Sequence, residues 1–138
     1  MGPISRFAPP LAVMALIFYL SAQPGLDSGL SFDLVLRKLA HIAIFAALWL
    51  AVARALEWRR PIVASAVALA YAAGDEIHQS FVTDRHGAPL DVAVDALGIG
   101  LAVLAWAHMA RRRGGRPGPP WPRRWRPRGL RPTASRAR

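Results

Sequence analysis

Apolar residues run through this chain in four long blocks and do not alternate with polar ones. The blocks cover about 7–21, 34–55, 61–81 and 91–109. Period-two alternation is absent, so strands, and with them an outer-membrane barrel, are not expected. Continuous apolar runs of this kind predict helices, and a helix of about 20 residues is roughly 30 Å long, the thickness of a bilayer core. The expected fold is all-α, a bundle of four transmembrane helices. The first block is short for a span, and Pro9 and Pro10 suit the opening turn of its helix. A cleaved signal peptide is the competing reading of this block. Against it stand the single Arg6 ahead of the block and the poor cleavage site Leu20-Ser21-Ala22.

The blocks are interrupted by polar residues, and these interruptions are not scattered. Lys38 and His41 lie near the start of the second block. Asp75, Glu76 and Gln79 lie near the end of the third, and Asp91 and Asp95 lie at the start of the fourth. Charge in hydrocarbon is costly, so ionisable residues inside membrane helices mark candidate functional positions.

Charge along the chain sets the orientation. Of the 18 Lys and Arg residues, eleven fall between Arg111 and Arg138, and the rest of the chain is close to neutral. Arg54, Arg59 and Arg60 cluster between the second and third blocks. The other two connections carry Asp27, Asp33 and Asp84 against the single Arg85. The positive-inside rule then places both termini in the cytoplasm of a multi-pass plasma-membrane protein. The start of helix two, the end of helix three and the start of helix four all fall at the outer face. Lys38, His41, Asp75, Glu76, Gln79, Arg85, Asp91 and Asp95 are thereby expected at one depth, and we read them as a ligand-binding cluster.

Two units are expected: a membrane domain over 1–110 and a basic tail over 111–138. The tail combines Arg with six prolines and with Trp121 and Trp125, too little apolar surface for a core, and is expected to be disordered. It suits anionic lipid headgroups, each basic residue near such a surface contributing about 1 kcal/mol. A purely topological role competes equally, and nucleic acid binding is a weaker third reading. Cysteine is absent, which excludes disulfides and thiolate metal sites. Trp49, Trp58 and Trp106 lie towards the inner ends and read as interfacial belt residues.

Helical spacing groups the polar residues further. Lys38 and His41 are three apart and share a face. Asp75, His78 and Gln79 share another, which Tyr71 extends, and Glu76 lies nearer Gln79 than Asp75. Asp91 and Asp95 are four apart, and Gly98 and Ala102 continue their face. Small residues let helices approach closely in lipid, so this acidic face of helix four is expected to be buried. Each residue also has a plainer reading: Lys38 snorkelling to the interface, His41 satisfied in a core, Asp91 as an N-cap. Arg37, Lys38 and Arg85 face four carboxyl groups. The expected ion pair is Lys38 with one of the aspartates. A retained proton, a cation or a hydroxyl-bearing ligand would balance the remainder. No metal-ligand spacing, nucleophile elbow or phosphate loop is present, so neither metal nor cofactor is expected and an enzyme is disfavoured.

Taken in order, Lys38-x-x-His41 with Phe45, then Tyr71-Ala-Ala-Gly-Asp75-Glu76-x-x-Gln79-x-Phe81, then Arg85, Asp91, Asp95 and Gly98 resemble the VanZ-like family of small membrane proteins. The resemblance covers roughly Leu34 to Ala105 and leaves out the tail. It implies a cell-envelope role linked to teicoplanin-type glycopeptide resistance. The expected partners are membrane lipids and a lipid-linked cell-wall precursor or lipoglycopeptide. Lys38 and Arg85 are then expected to meet an anionic group, with His41 tuning protonation. An enzyme acting on an envelope lipid, with Glu76 or Asp75 as general acid or base, is the alternative. A scaffold whose polar residues only join helices is the third reading.

Overall fold

The computed structural model describes residues 3–23, 33–83, 89–112 and 114. These form four helices, α1 (Pro3–Ser21), α2 (Asp33–Ala55), α3 (Pro61–Gln79) and α4 (Pro89–Arg112). Three helices open on proline, whose missing N–H costs nothing at a first turn and whose φ is already helical. Helix α1 begins before the expected start at Phe7, so Pro9 and Pro10 stand inside it. There they remove two N–H donors from its ladder. Helix α4 also begins early. Asp91 is therefore not an N-cap but a residue of the first turn, where a carboxylate still complements the helix dipole.

The helices run up, down, up, down. Helix α2 packs most extensively on α4, and α1 packs on α2 and α3. Helix α3 packs on α4 and, across the middle, on α2, while α1 and α4 lie opposite each other. Helices α2 and α4 therefore run parallel, as do α1 and α3. Three helices, over 4–21, 34–55 and 89–112, are long and apolar enough to cross a membrane. Helix α3 falls short of them, because Asp75, Glu76, His78 and Gln79 occupy its last turns.

The core centres on Phe45, Leu48 and Trp49, all fully buried, against Ile17, Ile99 and Ala102. Helix α3 contributes Ala64, Ala68 and Ala72 at every fourth position, a small-residue stripe that lets its backbone approach its neighbours. Asp75, Glu76, Gln79 and Asp95 are also buried, whereas Leu36, Leu39, Val67, Leu69, Leu97, Leu101 and Leu104 are exposed. Polar groups inside and leucines outside invert the pattern of a soluble domain and suit a hydrocarbon surround.

Trp49 corrects the belt reading. It is buried, its indole N–H donates to Ser65 Oγ at 2.9 Å, and it meets Trp106 edge-on with ring centroids 6.0 Å apart. Trp58 is buried as well. The central position of α2 in the bundle turns this face of the helix inward.

The α2–α3 connection ends α2 in a Schellman turn. Trp58 N–H donates to Ala53 O at 2.7 Å and Glu57 N–H to Arg54 O at 3.0 Å. Such a turn needs a left-handed residue, usually glycine, yet here Glu57 has φ 55° and Trp58 φ 62°. Glu57 pairs with Arg6 of α1 and, more loosely, with Arg59 at 3.8 Å. These contacts fix one end of the bundle, where Arg6, Arg54, Arg59 and Arg60 gather. The polar ends of all four helices lie at the other.

Candidate functional site

Because α2 and α4 run parallel from the polar end, successive turns of one meet successive turns of the other. In the outer turn Lys38 Nζ lies 2.8 Å from Asp91 Oδ1. One turn deeper, His41 Nδ1 lies 2.9 Å from Asp95 Oδ1, the arrangement of an imidazole N–H donating to a carboxylate. Exposure falls steeply along this seam. The Lys38 and Asp91 side chains are 35% and 37% exposed, His41 is 28% exposed, and Asp95 is 0%. Just beneath, Gly98 lies against the backbone of Ile42. The His41 ring is followed inward by Phe45, centroids 6.2 Å apart.

The second group joins α1 to α3. Ser21 Oγ donates to Asp75 Oδ2 at 2.9 Å, and Gln79 Nε2 donates to the same oxygen at 2.9 Å and to Ser21 Oγ at 3.3 Å. All three residues are buried. Asp75 lies near a helix C-terminus, where the dipole opposes its charge, and these two donors offset that cost. Deeper still, Tyr71 Oη donates to Met14 O at 2.7 Å. His78, expected on the Asp75 face, stacks instead on Phe18 of α1 with centroids 4.5 Å apart.

Glu76 is buried beside Asp75. Arg85 lies outside the described residues, as does the tail beyond Gly114. Asp95 Oδ2 is buried and has no hydrogen-bond partner among the described residues. An unsatisfied buried acceptor costs about 1–3 kcal/mol. Among the described residues no three His, Asp or Glu side chains are arranged to hold a metal ion.

Ser21 is the functional-end residue that sequence reasoning missed. Its signal was available: it is the only serine of the first apolar block and it closes that block at the depth of Asp75. The eight expected residues thus divide. Lys38, His41, Asp91 and Asp95 form the α2–α4 seam, Asp75 and Gln79 belong to the α1–α3 network, Glu76 lies beside that network, and Arg85 falls outside the described part.

Helices apolar on the outside, closed around charged residues at one end, define a small membrane protein with an interior polar site. A family model described as VanZ/LLP1 matches residues 7–110, and the chain belongs to that family. Neither the curated proteins nor the solved structures yield a match.

Proposed function

We propose that this VanZ-family membrane protein is a multi-pass plasma-membrane protein of the cell envelope. In this reading its polar end faces outward and binds a lipid-linked or amphiphilic ligand without turning it over. The observation that carries the proposal is the partly exposed Lys38–Asp91 pair standing over the more deeply set His41–Asp95 pair. A ligand at headgroup depth reaches the first pair, and the second holds α2 and α4 in register beneath it. The basic end then faces the cytoplasm, as Arg54, Arg59 and Arg60 require. The basic tail rests there on anionic lipid. Asp75 suits acid–base work poorly, since its Oδ2 already accepts from Ser21 and Gln79.

A role in teicoplanin-type resistance is tested by drug susceptibility of a deletion strain complemented with wild type and with Lys38→Ala. The expected result is rescue by the wild type alone, with equal amounts of both proteins in the membrane. Full rescue by Lys38→Ala removes the proposed site. The chain has no cysteine, so single cysteines at positions 38 and 59 report orientation cleanly. Position 38 should react with an impermeant reagent from outside and position 59 only after permeabilisation.

A further inference from the structure

The proposed ligand site has a charge pattern that narrows the ligand. Among the described residues at this end, the charges of Arg37 and Lys38 stand against those of Asp33, Asp75, Glu76, Asp91 and Asp95. Protonating His41 still leaves an excess of negative charge. Lys38, moreover, is already paired with Asp91 at 2.8 Å. A purely anionic ligand on Lys38 would bring its negative charge against Asp91, which shares that ammonium, and like charges set side by side at an interface are unfavourable. One turn below, Asp95 is wholly buried and its Oδ2 has no hydrogen-bond partner among the described residues. Among the described residues the seam therefore offers the Lys38 ammonium, already shared, and two carboxylates on one face of α4, the deeper with an acceptor that has no partner there.

Resting on the ligand-binding reading above, we propose that the α2–α4 seam binds a zwitterionic headgroup carrying one phosphate and one ammonium. The phosphate takes Lys38, and the ammonium takes Asp91 on the side of Asp95. Such a group enters the existing ion pair and gives each partner a new counter-charge, so neither is left unpaired. The depth fits a headgroup, since Lys38 and Asp91 are each about one-third exposed. The same two helices expose Leu34, Leu39, Leu90 and Leu97, which give an amphiphile's chains apolar surface to lie along.

The full-length protein in detergent is offered an equimolar mixture of phosphatidylethanolamine and phosphatidylglycerol with matched acyl chains, and retained lipid is read by native mass spectrometry. Retention of the ethanolamine lipid is expected to exceed that of the glycerol lipid by about tenfold, the ratio that 1.4 kcal/mol gives. N-acylated phosphatidylethanolamine, which keeps the phosphate and loses the ammonium, should be retained no better than phosphatidylglycerol. This arm uses the wild-type chain and does not depend on any variant folding. Asp91→Asn should bring the preference close to one. Soluble glycerophosphoethanolamine separates the sources: binding only in lipid form assigns a membrane lipid, and binding in both forms assigns the headgroup itself. Equal retention of all three lipids, with Lys38→Gln releasing each, overturns the zwitterion inference and leaves the ligand site standing. Retention that ignores both Lys38→Gln and Asp91→Asn overturns both.

Discussion

A Cβ added at Gly98 would stand 2.9 Å from Ile42 Cα and would strike the Ile42 carbonyl oxygen. This contact sets the spacing of α2 and α4 directly below the seam. It brings the short Asp95 side chain within 2.9 Å of His41. Gly98→Ala must push the helices apart, and backbone cannot give way as a flexible side chain would. The expected loss is about 1–3 kcal/mol of stability, read as a lowered Tm in detergent, together with weaker ligand retention. A Tm within error of wild type would mean that the close approach is not needed.

His41 and Asp95 should couple strongly. His41→Leu leaves the Asp95 carboxylate buried with neither oxygen paired among the described residues, an arrangement that costs about 3–5 kcal/mol. Adding Asp95→Leu to that variant should restore most of the loss, because no charge then remains to be buried. A double-mutant cycle on thermal or denaturant stability measures this. Additive effects would show that the pair does not act as a unit.

The α1–α3 network is expected to be structural. Ser21→Ala removes one of the two donors to Asp75 Oδ2 and should cost about 1 kcal/mol. Ligand retention per folded molecule should stay at the wild-type level. Lys38→Gln should do the opposite, reducing retention with little change in Tm. If Ser21→Ala abolishes retention in fully folded protein, the division of the polar end into two parts is wrong.

Glu57 holds a left-handed conformation that costs a non-glycine residue about 1–2 kcal/mol. Glu57→Gly removes that cost but also the pair with Arg6, an exposed contact worth about 0.2–1 kcal/mol. The net expectation is a modest rise in Tm, with Arg6→Ala giving a small fall. A lower Tm for Glu57→Gly would show that the ion pair outweighs the backbone strain.

Much of this architecture was legible in the residues taken in order. Long apolar blocks and clustered arginines determine four helices, their up-and-down course and the end at which Lys38, Asp75 and Asp91 collect, although Pro9 and Pro10, read as an opening turn, lie inside α1. Periodicity even marked the buried face of α4, since Asp91, Asp95, Gly98 and Ala102 share one stripe. Periodicity names a face, however, and not the neighbour that covers it. Only the packing order decided that Asp95 meets His41, that Asp75 meets Ser21, that His78 leaves the site for Phe18, and that Trp49 lies in the core. Those pairings depend on how each helix is rotated and on how close Gly98 lets two backbones come. Both are properties of several helices at once, so no single stretch of sequence carries them.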